Sequence, residues 1–367
     1  MMSYTEREID LIVADSFKEL TYKQKKLLLA STNADNSNRE KFALTLIKTV
    51  GEGVYNKVSV NLADSRYRTE VLNALDGAGV TCVTVKSNNY PRLLANTPIP
   101  PLVLYAKGNL QLLKTRTVGV VGARRIPAAV AEESRKICER LSRSLTIATG
   151  IADGGDIAAI KGGLASGKVI CVLPFGHGAS FNCNREVLKE VERVGLSITE
   201  FPPKAPALRH TFVLRNRIIA GLAEATLVVS AGEDSGALST ARFAVDYSRE
   251  VLALPYPIGA EQGVGCNNLI KHGALLCDCA EDVLAVYGLA EVKARIEPPS
   301  DGDDGDLDGE ERAVLHLLKA EGELHAEVIA ERLSISPTEV ITACSMLEIK
   351  GYLVRSGGNT FTAMRKK

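Results

Sequence analysis

Seven short apolar runs between residues 80 and 256 show almost no polar–apolar alternation: VTCVTV, TVGVVG, LTIATG, KVICVLP, LSITEF, ATLVVSA and EVLALPY. A strand with one face in water alternates, so runs that are apolar throughout belong to strands covered on both faces. Such strands build mainly parallel sheets with helices packed on each side. The intervening segments, REVLKEVERVG and GALSTARFAVDYSRE among them, have helical spacing and suit parallel crossovers. The pattern therefore predicts an α/β fold over residues 81–290, a Rossmann-like, doubly wound, mainly parallel sheet. Ligands in such sheets sit beyond the carboxyl ends of the strands.

The flanks read differently. Residues 1–80 are helical, with apolar residues such as Leu27, Leu28, Phe42, Leu46 and Ile47 at three and four spacing. Gly51 and Gly53 there resemble the Gly-x-Gly turn of a helix-hairpin-helix, a plain helix-ending glycine being the simpler reading. Residues 291–309 are a linker, whose stretch EPPSDGDDGDLDG is acidic and rich in Pro and Gly. Residues 310–367 then predict three helices and a two-stranded wing turned at Gly357-Gly358, a winged-helix domain. Ser336 and Glu339 form a capping box at its third helix, with Pro337 at the first helical position. That helix exposes Thr338, Glu339, Thr342, Ser345 and Glu348, with Lys350 only at its end. A major-groove reader carries more Arg, Lys, Asn or Gln, so a protein-contact or packing role is expected instead. Arg365, Lys366 and Lys367 could touch phosphate in either case.

Composition narrows the function classes. Lys+Arg and Asp+Glu both number 44, so any site for an anionic polymer must be a local patch. The eight cysteines are scattered, several within apolar runs. Their one close pair, Cys277 and Cys279, lacks the second pair that a structural zinc site needs. No metal and no disulfide framework are expected, and a reducing cytoplasm fits. No apolar run approaches the ~18 residues of a membrane span.

The strand ends carry the equipment for an anionic ligand. TVGVVG opens into Gly122-Ala123-Arg124-Arg125, and LTIATG into Gly150, Asp153, Gly154, Gly155 and Asp156. ATLVVSA leads to Ser235 and Gly236, and EVLALPY to Gly263, Gly265, Asn267 and Asn268. Glycines let backbone approach a ligand, and helix N-termini offer N–H groups to phosphate. Gly119 and Gly122 are wrongly spaced for GxGxxG, so no dinucleotide cofactor is expected. The segment RHTFVLRNRIIA, Arg209 to Ala220, adds Arg209, His210, Arg215 and Arg217 around Phe212 before turning apolar. Arginine forks onto phosphate and an aromatic face stacks any base. Taken alone, the same stretch could be a helix start whose arginines pair with acids.

Eight segments in order resemble the bacterial DNA-processing protein A (DprA, or Smf) family: YPRLL, PLVLYAKG, VVGARR, TGIADGGD, ITEFPP, LRNRIIAGLA, SGALSTA and GCNNLIKHGA. With the helical start and the winged helix, the resemblance covers nearly the whole chain. It implies a dimeric single-strand DNA-binding protein that protects incoming strands in natural transformation and helps load the recombinase RecA. It assigns phosphate contacts to Arg124 and to Arg215 and Arg217 of the Arg215-Asn216-Arg217 triplet. It places Arg209 in the basic patch and gives Phe212 a base to stack on. Gly122, Gly150, Ser235, Gly236, Asn267, Asn268 and Lys271 join the candidate rim. Two departures stand out. The family's Ala-His pair is Ala159-Ile160 here. Its Tyr-Pro-x-x-Asn stretch is Phe181-Asn182-Cys183-Asn184, with Arg185 a candidate replacement for the lost cation.

Two rival classes are weighed against this. Related Rossmann-like nucleoside-monophosphate hydrolases carry a catalytic glutamate where this chain has Phe243. Glu200 and Asp156 lie at strand ends but suit roles in orienting arginines or capping helices. There is no GxSxG for a serine hydrolase. A stand-alone transcription regulator fails on the weakly basic third helix. The expectation is single-stranded DNA binding without catalysis, with a nucleotide-binding or nucleotide-hydrolysing enzyme as the alternative.

Overall fold

The structure, a computed structural model, describes residues 4–33, 36–180, 184–289 and 307–364. The chain divides into two compact units, Met1–Glu291 and Val292–Lys367.

The first unit opens with five helices: α1 (Glu6–Ser16), α2 (Tyr22–Asn33), α3 (Asn36–Val50), α4 (Glu52–Ala63) and α5 (Ser65–Gly77). Thr5 and Glu8 form a capping box at the start of α1, each side chain satisfying the other residue's free N–H. Phe17, Leu28, Leu46, Val58 and Leu62 bind the helices to one another. Gly51 caps α4 at φ 85°, a conformation that favours glycine, and has open space around it.

The sheet follows as β1 (Thr81–Thr84), a one-turn helix α6 (Arg92–Ala95), β2 (Val103–Gly108), β3 (Thr117–Gly122), α7 (Ala128–Ser142), β4 (Thr146–Thr149) and α8 (Gly155–Leu164). It continues through β5 (Val169–Val172), α9 (Arg185–Val194), β6 (Leu196–Thr199), α10 (Arg209–Leu222) and β7 (Ala225–Ser230). It closes with α11 (Ala237–Asp246), β8 (Glu250–Ala253), α12 (Val264–Lys271), β9 (Leu275–Leu276) and α13 (Ala280–Val286). The nine strands lie in the order β1-β2-β6-β5-β4-β3-β7-β8-β9. From β6 to β9 all neighbours are parallel. From β6 to β7 their residues are buried to within a few per cent except Gly122 at the end of β3, as the absence of alternation requires, whereas toward the edge Glu250 of β8 and both β9 leucines are exposed. Each fully buried Val, Leu or Ile contributes roughly 1.5–3 kcal/mol.

One expectation is corrected. VTCVTV, grouped with the parallel strands by its composition, is the antiparallel partner of β2, which is itself antiparallel to β6. Its connection holds Pro91, Pro98, Pro100 and Pro101 and forms only α6, too short a helix for a parallel crossover. The helical region covers this end: Leu11 and Ile12 pack with Cys82, Val103 and Tyr105. The Tyr105 hydroxyl donates to Asp15 at 2.8 Å, and Lys25 meets the other Asp15 oxygen at 2.9 Å. The seven described cysteines are free thiols.

The second unit is a winged helix of α14 (Gly309–Glu321), β10 (Leu324–His325), α15 (Ala326–Leu333), α16 (Pro337–Ile349), β11 (Leu353–Gly357) and β12 (Thr360–Ala363). Its strands pair as β10-β12-β11, with Gly358 at φ 53° in the turn of the wing. Ser336 and Glu339 make the expected capping box. Val314, Leu318, Ile329, Val340, Leu347 and Phe361 form its core. The acidic linker stretch through residue 306 and the cations at 365–367 lie outside the described residues. No described helix is long and apolar enough to cross a membrane.

Candidate functional site

The sheet order reverses at β3, which has β4 on one side and β7 on the other. The loops leaving these strands therefore part and leave a crevice. Their backbones meet closely at its base. The Ala123 N–H donates to the Ser230 carbonyl at 2.9 Å, and the Gly155 N–H to the Ala123 carbonyl at 3.1 Å. A Cβ on Gly122 would meet Gly155 Cα at 2.9 Å and Val229 Cγ2 at 2.7 Å, so only glycine allows this approach.

Above this floor opens a cleft of about 630 Å³. The N-terminal ends of α8 and α11 open at it, and the first half of α10 forms a wall. At the start of α10, Leu208 offers no capping group, and Thr211 supplies one. Its hydroxyl accepts from the Leu208 N–H at 3.1 Å and donates to the Leu208 carbonyl at 2.7 Å. Arg209 and Phe212 then face the mouth, while Ile218, Ile219, Ala220 and Leu222 fix the helix in the core. The Arg124 guanidinium lies over the Phe212 ring, 5.5 Å from its centroid. Arg124 and Arg209 are exposed, and neither forms an ion pair among the described residues. Asp234 also lines the cleft.

Deeper in, Arg215 is 4 % exposed. It donates to the Val172 carbonyl at 3.1 Å and stands 3.9 Å from Asp156. Burial pushes the Asp156 carboxyl above its ordinary range, opposed by Arg215 and by N–H donation from Ala152 and Gly122. The same burial lowers the Arg215 guanidinium, with Asp156 acting the other way. Gly150 is the position that makes room: a Cβ there would fall 1.8 Å from Arg215 Nη1. The Nε of Arg215 is buried without a hydrogen-bond partner among the described residues. Asn216 bridges α10 to the start of α11, donating to Ser239 Oγ at 2.8 Å and to the Gly236 carbonyl at 3.3 Å. Ser235 Oγ accepts from the Ala237 N–H at 3.3 Å.

The cleft thus brings together Gly122, Arg124, Arg209, Phe212, Arg215, Asn216, Ser235 and Gly236, with Gly150 packed behind Arg215. Arg217 does not join them. Two residues after Arg215 on a helix it points elsewhere, and its guanidinium pairs with Glu200 and donates to the Ile99 carbonyl at 2.7 Å. Asn267 is held in both directions by the Tyr256 backbone, 3.0 Å each way. Asn268 and Lys271 are exposed on α12, and Arg185 opens α9; none of these four lines the cleft. Ile160 is fully buried among Ile151, Val169 and Cys171, so that position turns into the core. Phe181, Asn182 and Cys183 lie outside the described residues. The sequence reading missed Thr240 on the cleft floor and the Ser239 strut. The Ser-rich start of α11 was the available signal for the strut.

The starts of α8 and α11 and the guanidinium groups line the cleft, and Phe212 is the one aromatic among its described lining residues. This arrangement suits a ligand with phosphates and at least one flat ring. Residues 81–288 match the family model for DNA recombination-mediator protein A, and residues 298–359 match the DprA winged helix domain. Protein Smf of Escherichia coli is 35% identical over 281 residues, 73% of this chain and 73% of that one. DNA processing protein DprA of Streptococcus pneumoniae is 36% identical over 200 residues, 54% of this chain and 71% of that one. A DprA relative from Mycobacterium tuberculosis is 32% identical over 256 residues, 68% of this chain, and the match spans 66% of its length. The X-ray structure of the Streptococcus pneumoniae protein superposes with a TM-score of 0.58 at 29% identity, covering 77% of this chain and 98% of that one. A structure describing the single-stranded DNA binding mode of DNA processing protein A from Helicobacter pylori gives 0.52 at 25%, covering 57% and 97%.

Proposed function

The chain belongs to the DNA recombination-mediator protein A family, and we propose that it binds single-stranded DNA at the rim of its sheet without catalysis. The observation that carries this reading is the Arg124 guanidinium over Phe212 beside Arg209, two cations without ion pairs among the described residues, in a glycine-floored cleft. Phosphates approach the positive ends of the α8 and α11 dipoles and the guanidinium groups of Arg124 and Arg209. A base shares the Phe212 ring, which discriminates little among bases and so suits sequence-independent binding. Arg215 is a positioning residue that holds the β4–α8 loop through Asp156. The binding mode named for the Helicobacter pylori relative supports the same polymer for this chain.

The finer reading rests on the family. The protein acts as a homodimer, protects incoming strands in natural transformation, and helps RecA onto them. Light scattering over a range of concentrations checks the dimer. RecA filament growth on a strand coated with single-strand-binding protein, with and without this chain, checks loading. Arg185, Asn268 and Lys271 stay as candidate contacts only for DNA extending beyond the cleft, while Arg217, closed against Glu200, serves the fold.

A nucleotide-hydrolysing enzyme is the competing reading, because the same helix starts would hold a mononucleotide. Phe243 stands where that class needs its glutamate and lies 6.1 Å from Tyr247, ring to ring, so the position brings no carboxylate. Fluorescence anisotropy of a labelled oligo-dT, with duplex DNA and mononucleotides as competitors, separates the two. Salt-sensitive binding that neither competitor displaces supports the strand reading. A mononucleotide that displaces the strand and is consumed supports the enzyme.

A further inference from the structure

On the far side of the β3–α7 loop lies a second cleft of about 560 Å³, lined by that loop, the first half of α7 and α8 as far as Lys161. Arg124 lines both clefts. The partition between them is backbone. Gly154 adopts φ 76°, and a Cβ on it would strike the Ala123 carbonyl at 2.3 Å and the Arg124 carbonyl at 2.6 Å. A chain leaving the first cleft past Arg124 therefore meets no side chain at Gly154.

The charge of the second cleft is unbalanced. Four cations, Arg124, Arg125, Arg135 and Lys161, line it against two acids: Glu132, paired with Arg135 at 2.7 Å, and Asp153, which keeps its charge while accepting from Asn184 Nδ2 at 3.0 Å. Arg135 is occupied in turn, because Glu139 holds its other nitrogen at 2.6 Å. Arg125, on the β3–α7 loop, and Lys161, on α8, are exposed and form no ion pair or hydrogen bond among the described residues. The floor between them is apolar, from Ile126, Ala131 and Ile157. A net positive lining with an apolar part fits a phosphodiester chain, whereas a protein helix would demand a longer apolar stripe.

We propose that this cleft takes the next stretch of the strand held at Phe212, with Arg125 and Lys161 on its phosphates and Arg124 at the crossing point. The proposal deepens the single-strand reading and rests on it. It makes the footprint longer than one cleft, and affinity rises with strand length until both are filled.

The test is anisotropy of labelled oligo-dT of increasing length, with the full chain and an Arg125→Gln/Lys161→Gln double variant. Both side chains are exposed, so melting is expected to match the parent. On the shortest strands that bind, the variant should equal the parent. On long strands it should bind roughly tenfold more weakly, and its slope of log affinity against log salt should fall by about 1.4, at ~0.7 per phosphate contact. An Arg125→Lys/Lys161→Arg variant should restore both. Equal binding by parent and variant at every length overturns the second cleft and leaves the first. An equal loss at every length, short strands included, overturns it as well, since that is a general field effect. A parent that binds no strand of any length removes the single-strand reading itself.

Discussion

At the rim of the sheet, Arg124 and Arg209 reach solvent with no carboxylate partner among the described residues, whereas in the winged helix Lys350, Arg332 and Arg355 each face a glutamate. Lys350 meets both oxygens of buried Glu311, at 2.7 and 3.0 Å, and Arg355 also lies over Phe361. The exposed face of α16 adds Glu339 and Glu348 and no cation. A cation already paired in the fold releases few counterions on meeting DNA, so it contributes little to affinity. Both regions are folded modules with basic residues. The difference lies in whether the fold has already used the charge. The same contrast runs within α10, whose first turn presents Arg209 while Arg217 is closed against Glu200.

The contrast is sharpened first where charge is buried. Arg217→Met leaves Glu200, and Lys350→Met leaves Glu311, each a largely buried carboxylate without its cation. Each should lower stability by about 3 kcal/mol in urea denaturation. Neither should change the oligo-dT salt slope; a lower slope in Arg217→Met would place that residue on the DNA after all. Next in size is Phe212→Ala, which should weaken oligo-dT binding by about 1–3 kcal/mol while leaving the melting temperature near the parent's. Unchanged affinity would remove the stacking role. The smallest effect tests the other region. Lys319 is an exposed winged-helix cation with no ion pair among the described residues. Lys319→Gln should leave the salt slope where it is, and a fall of about 0.7 would bring the winged helix onto the strand.

Much of this was legible in the chain. The unalternating runs located the parallel strands because burial on both faces leaves no position for polar side chains. The capping box at Ser336 and the turn at Gly358 were readable because such features are local. The direction of β1 was less so, since it depends on a proline-broken connection rather than on the strand. Gly122, Arg124, Arg209 and Phe212 could be chosen from residue type and position. That Arg124 lies over Phe212 could not, because 88 residues separate them and only the packing of β3 against α10 joins them. Arg217 was avoidable: residues two apart on a helix point to different sides, so Arg215 and Arg217 could never share one ligand face. Arg125 stood out in the Gly122–Arg125 strand end, but nothing in the sequence joined it to Lys161, 36 positions away and brought near it by the contact of α7 with α8.

The most direct test of the central claim is the salt dependence of oligo-dT binding by the Arg124→Ala/Arg209→Ala double variant beside the parent chain. The rim account predicts weaker binding and a slope of log affinity against log salt lower by about 1.4, two phosphate contacts at ~0.7 each. Parent-like affinity with a parent-like slope would mean that these two exposed arginines hold no phosphate and that the strand, if bound, lies elsewhere.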